Sequence, residues 1–208
     1  MSTGVWLKDL VKALRNGGVE VEGLTYKRGR YAGKDWKQVG WNGLGYRELR
    51  GIMWHHDASP AGDSPGALDW CMYSELAPCA AIWIDRKGKW FVYAAGQTNH
   101  AGVGSSPLAP NSTGNQVYLG IETDMGAPGE AWPKPLLDSL RKGTAVLMKH
   151  YDLDPKVALE FHKTYAPGRK NDPAYLDLKK ERRRVARLMK SDQTGVKGLL
   201  DRWFNLTK

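Results

Sequence analysis

Four of the five histidines stand where chemistry is possible. His55 and His56 end the apolar run Gly51-Ile52-Met53-Trp54, His100 sits in Asn99-His100-Ala101-Gly102, and His162 in Phe161-His162-Lys163. Histidines at the ends of elements face clefts more often than cores. Within ten residues of His162, a segment stiffened by Pro167, Gly168 and Pro173 adds Lys170 and Asp172. A catalytic zinc site asks for three N, O or S ligands and an open position for water. His55, His162 and Asp172 can supply that set, and zinc chemistry needs no Ser or Cys nucleophile. Glu122 closes the apolar stretch Gly120-Ile121-Glu122, where burial would raise its pKa toward that of a general base. Lys170 is the cation placed to meet charge on a carbonyl oxygen.

Each assignment has a plainer rival. Neighbouring strand residues face opposite sides, so only one of His55 and His56 can enter a shared site, and His56 is the alternative ligand. Glu122 could simply pair with a Lys or Arg. Asp172 could cap a helix starting after Pro173. His150 closes a helix whose dipole favours an imidazolium there, which makes it structural.

The elements that must position these groups follow from periodicity. Trp6, Leu7, Leu10, Val11 and Leu14 share a helical face over Val5 to Leu14, capped by Ser2 or Thr3 and stopped at Gly17-Gly18. The stretch from Gly23 to Gly45 has no clean period and reads as loop or irregular connection. Gly51 to Trp54 and Val117 to Glu122 read as buried strands, and Ala67 to Leu76 as a helix. Ala81 to Ile84 and Trp90 to Tyr93 form a hairpin turned at Arg86-Lys87-Gly88. A helix spans Pro133 to Tyr151, and another spans Pro173 to Met189 with Tyr175, Leu178, Val185, Leu188 and Met189 inward and a basic face outward. The reading is an α/β fold: a single domain with a central mixed β-sheet flanked by helices and zinc in a surface groove. Residues 1–45 are an N-terminal helix and irregular lead-in, 46–190 the catalytic domain, and 191–208 a basic amphipathic tail striped with Leu199, Leu200, Trp203, Phe204 and Leu206.

Composition narrows the class. With 208 residues, 41% hydrophobic, nine Trp and nine Tyr, the chain folds around one core. No stretch reaches the ~18–20 apolar residues of a membrane span, and no signal peptide opens it. Cys71 and Cys79 are too few for a disulfide scaffold, and whether they pair stays open. The net charge of +9 implies an anionic partner without choosing among nucleic acid, membrane and wall polymer. Lys179 to Lys208 holds ten Lys or Arg against Glu181, Asp192 and Asp201, a net +7.

Trp54-His55-His56-Asp57-Ala58-Ser59, Asn99-His100-Ala101-Gly102, Leu119-Gly120-Ile121-Glu122 and the run from His162 through Pro173 together, in this order, resemble the N-acetylmuramoyl-L-alanine amidase family, over roughly residues 48 to 188. That family shares its fold with peptidoglycan-recognition proteins and phage amidase-type lysozymes, and the whole chain is similar to endolysins of phages that infect actinobacteria. The resemblance implies His55, His162 and Asp172 as zinc ligands, Lys170 as oxyanion stabiliser, and Asn99 and His100 as substrate-side residues. Relatives divide over the base, some using a strand Tyr and others a Glu. The Tyr position falls at about Ala80 here, which shifts the role to Glu122.

The implied reaction is hydrolysis of the amide joining N-acetylmuramic acid to L-alanine, in a groove lined by aromatics and the loop from Gly102 to Gly114. Bacterial peptidoglycan is the expected partner, nucleic acid is not, and a monomer is expected. Synthesis in the host bacterial cytoplasm would precede action at the wall after the membrane is permeabilised. Two rivals stand beside this reading. One is a metal-free peptidoglycan-binding module of the same fold. The other is a nucleic-acid binder, for which no finger spacing or aromatic-basic signature is present.

Overall fold

A computed structural model describes residues 4–59, 64–125 and 129–205, with side chains at all of these except 64, 65 and 192–205. Six strands form one sheet: β1 (Val21–Gly23), β2 (Gly51–Trp54), β3 (Ile82–Ile84), β4 (Trp90–Val92), β5 (Tyr118–Thr123) and β6 (Leu159–Phe161). Their order across the sheet is β1-β4-β3-β5-β2-β6. Only the β3–β4 hairpin pairs antiparallel; the other four pairings are parallel. Six helices surround it: α1 (Leu10–Asn16), α2 (Ser64–Tyr73), α3 (Gly114–Val117), α4 (Lys134–His150), α5 (His162–Tyr165) and α6 (Leu178–Asn205). The sequence-derived fold class holds: an α/β domain with a mixed sheet between helices.

Burial explains the strands. Every residue of β2, β3 and β6 is buried, as continuous apolar runs covered on both faces require. The hairpin closes where the Asp85 carboxylate accepts from the Lys87 and Lys89 amides at 2.9 and 2.8 Å. Leu136, Leu140, Leu147 and Met148 face α4 inward onto the sheet. Two indoles fix that packing: Trp54 donates to Thr144 Oγ1 and Trp90 to Ser139 Oγ, both at 2.9 Å. Gly143 is needed mid-helix, because a Cβ there would lie 2.2 Å from Trp90.

Several expectations are corrected. The opening helix begins at Leu10, not near Val5, because Val5 pairs with Tyr46 in both directions and the Leu7 amide donates to Ala95 at 2.8 Å. Those extended pairings use the backbone groups a helix would need. The lead-in also supplies strand β1, which adds an edge to the sheet beside β4, and its Trp36 and Val39 join the main core. Three residues are too few to show a period. Strand β6, likewise three residues, escaped sequence reading and forms the opposite edge.

The last helix starts at Leu178 and runs to Asn205, so the stretch from 191 continues the helix. Tyr175 stands before it at positive φ, 68% exposed, its hydroxyl accepting from the Gly129 amide, and Leu188 is also exposed. The helical stripe from Leu199 to Leu206 lies outside the described side chains. Cys71 and Cys79 are free buried thiols. Among the described residues no helix is long and apolar enough to cross a membrane.

Candidate metal centre

Strands β5, β2 and β6 lie side by side and parallel, so their C-terminal ends open at one edge. Ligands in such sheets bind outside those carboxyl ends. His55 follows the last residue of β2, His162 follows β6, and Glu122 is the penultimate residue of β5. Asp172 arrives on the loop after α5, tied down where the Lys163 amide donates to its carbonyl at 2.7 Å.

These placements bring His55 Nδ1, His162 Nδ1 and Asp172 Oδ2 to 3.0 Å from one another. All three residues are buried, and no other such ligand group occurs among the described residues. The hydrogen-bond network assigns the tautomers. His162 Nε2 donates to the Ala101 carbonyl at 2.9 Å. The Arg169 Nη2 at 3.3 Å does not compete, since its two protons go to the Ala101 and Val103 carbonyls. His100 Nε2 donates to the Tyr118 carbonyl at 3.1 Å, which leaves its Nδ1 to accept from His55 Nε2 at 2.9 Å. In neutral rings both Nδ1 lone pairs therefore point at Asp172 Oδ2. Three convergent acceptors need a cation between them; a proton can bridge only two, whereas a metal ion satisfies all three.

The donor set fits zinc, whose tetrahedral bonds of about 2.0–2.1 Å hold ligand atoms roughly 3.3 Å apart. Burial and the neighbouring His162 push the His55 pKa down to about 4, so its ring is neutral at pH 7. Burial also drives His100 well below the usual imidazole range.

Glu122 stands beside this cluster, Oε1 3.9 Å from His55 Nδ1 and Oε2 buried with no hydrogen-bond partner. Burial first, then Asp172 and Asp57, raises its pKa well above the ordinary carboxylate range, opposed by Lys170. A groove of about 500 Å³ opens over Glu122 and Asp172, walled by His56, Asp57, Trp70 and Lys170. Lys170 is exposed there and makes no ion pair among the described residues.

His56 is placed on the groove wall and out of the cluster, its Nδ1 accepting from the Ala174 amide at 3.1 Å. His100 stands behind His55, buried, and not among the groove residues. Gly120 permits this, because a Cβ there would lie 2.7 Å from the His100 ring. Asn99 bridges loops, donating to Leu76 O and accepting from Asn115 Nδ2. The loop from Gly102 to Gly114 packs on Tyr165 and Arg169 and is not among the groove's lining, and among the described residues Trp70 is the one Trp, Tyr or Phe that lines it.

Sequence reasoning missed Asp57 and Trp83. Asp57 accepts from Trp83 Nε1 at 2.8 Å beneath Glu122, and its place directly after the two histidines was the only available signal.

The profile of the N-acetylmuramoyl-L-alanine amidases matches residues 45–175. This chain belongs to that family. No curated protein sequence matches it. Among solved structures it is similar to a mutant endolysin from Bacillus subtilis, with 19% identity, 68% of this chain and 88% of that one covered, and a TM-score of 0.53. AmpDh3 from Pseudomonas aeruginosa in complex with anhydromuramic pentapeptide gives 19%, 65%, 59% and 0.54 in the same order. A selenomethionine AmpD derivative gives 21%, 67%, 84% and 0.50. At these identities the structures confirm that this amidase family member has the amidase fold.

Proposed function

We propose that the protein is a zinc-dependent N-acetylmuramoyl-L-alanine amidase that cuts the glycan from the stem peptide of bacterial peptidoglycan during phage-induced host lysis. The observation that carries this is the triangle of His55 Nδ1, His162 Nδ1 and Asp172 Oδ2 beside Glu122, whose Oε2 has no hydrogen-bond partner, in an open groove. Family membership, and a neighbour solved with a muramyl peptide, support the substrate class.

His55, His162 and Asp172 would hold zinc, which when bound polarises the scissile carbonyl and lowers the pKa of the attacking water. Glu122 takes a proton from that water as its oxygen joins the carbonyl carbon. Lys170, on the groove wall, meets the negative charge that moves onto the carbonyl oxygen. The C–N bond then breaks as Glu122 returns its proton to the L-alanine nitrogen, and the remaining proton of the new carboxyl group passes to the amine, leaving a lactyl carboxylate and an ammonium group. His100 and the Ala101 carbonyl fix the two ligand rings from behind. Asn99 and Arg169 hold the loops that carry them.

A metal-free binding module would need neither a complete ligand triangle nor a buried acid beside it. Mass spectrometry of purified peptidoglycan digested by the zinc-loaded protein should show new L-alanine amino termini and intact lactyl carboxylates. Unchanged sacculi, or new reducing sugar ends instead, would overturn the assignment.

A further inference from the structure

A groove of about 680 Å³ among the described residues lies away from the metal centre and shares no residue with the groove there. It lies along α6, where Lys179, Arg182, Arg183, Arg187 and Lys190 recur at helical spacing on one face, with Lys156 opposite and Leu178 and Ala186 as floor. Among the described residues no acidic and no aromatic side chain lines it. Arg182 is pinned to the domain, donating to Leu159 O at 2.8 Å and lying 3.8 Å from Glu160. The nearby acid on α6, Glu181, is turned to the other side and taken by Arg141 and Arg184. Among the described residues the remaining five cations of the groove have no carboxylate partner.

We infer that this groove binds a flexible phosphodiester polymer of the bacterial wall. Lys179 to Lys190 spans about 16 Å of helix, which suits a row of repeating phosphates better than one ion, for which the cations would converge. A bilayer would present a flat surface to which these concave walls do not conform. Single-stranded nucleic acid would ask for aromatic platforms to stack its bases, and among the described residues none lines the groove. The chemistry on the page is a line of positive charges over aliphatic stems, fitting a chain of phosphates joined by polyol units. The inference rests on the amidase reading only for where the protein meets such a polymer.

The test titrates the full-length protein with poly(glycerol phosphate) at low salt. The variant Arg183→Glu, Arg187→Glu, Lys190→Glu is compared with an equal charge reversal elsewhere, Lys8→Glu, Lys12→Glu, Lys27→Glu. The α6 variant should lose tenfold or more in affinity and the control less than threefold, with wild-type binding weakening as salt screens the charges. Arg183→Gln, Arg187→Gln, Lys190→Gln should lose affinity in the same direction, which keeps the test open if charge reversal unfolds α6. Equal losses in the two reversed variants would reduce the effect to net charge and overturn the site. So would tighter binding to anionic phosphatidylglycerol vesicles or to a single-stranded oligonucleotide. Cleavage of a soluble muramyl peptide should be unchanged in every variant. An inactive wild type would defeat the amidase reading and leave the binding result standing.

Discussion

Replacing Glu122 by Gln separates proton transfer from metal binding and carries a stability signature of its own. The carboxylate contributes no atom to the ligand triangle, so Glu122→Gln should keep one zinc per chain while losing about 10²–10⁴-fold in kcat. In the metal-free protein the same change removes a buried charge whose Oε2 has no partner. A buried unpaired polar group costs about 1–3 kcal/mol and a charged one more; the Gln amide keeps the first cost and removes only the excess due to the charge, about 1 kcal/mol or more. With about 2–4 °C per kcal/mol for a chain of this size, apo Glu122→Gln should melt at least about 2 °C above apo wild type at pH 8. The pH dependence has a definite sign. Because burial raises the folded pKa of Glu122, the native state is favoured below the unfolded pKa, and that advantage is lost as pH rises through the folded value. The melting difference should therefore vanish near pH 4. Paired kinetics, elemental analysis and calorimetry read all three quantities. Near-normal turnover with zinc in place would show that Glu122 is not the base, and a lower apo melting temperature at pH 8 would refute the burial argument.

Further outcomes follow from the same contacts. His55→Ala, His162→Ala and Asp172→Ala should each lose zinc on dialysis whereas His56→Ala keeps it, and full metal retention in any of the first three would remove that residue from the ligand set. His100→Ala frees His55 Nε2 and should weaken zinc about 10–100-fold in a competition titration with a chelator, with no change expected if His100 only fills space. Asp9 accepts from Tyr151 Oη at 2.6 Å and His150 Nε2 at 2.7 Å, so Asp9→Ala should cost about 1 kcal/mol by urea unfolding at pH 7. Burial raises the Asp9 pKa, but Tyr151 and His150 outweigh it and leave a net depression. The contribution is thus present above the unfolded pKa and fades as pH falls through the folded one, and a gap unchanged at pH 3 would contradict it.

The residues of the site were legible in the sequence because each sits next to a strong local pattern. The buried runs ending at His55 and Glu122 and the Pro- and Gly-bounded segment from His162 to Asp172 mark strand ends and a stiff loop, and those signals need only neighbours in the chain. The hairpin and α4 were legible for the same reason, being long or sharply punctuated. Tertiary structure alone decided the rest. Strands β1 and β6 are three residues each and exist only because β4 and β2 offer them backbone partners. The shift of α1 to Leu10 follows from Val5 pairing with Tyr46, forty-one positions away. Alternation says only that His55 and His56 differ, and in the sequence the resemblance alone favoured His55. The contacts that separate them are 107 and 118 residues distant, with His162 Nδ1 meeting His55 and the Ala174 amide taking His56. The tautomers that turn both Nδ1 lone pairs inward depend on carbonyls of Ala101 and Tyr118, whose position no spacing of side-chain types encodes.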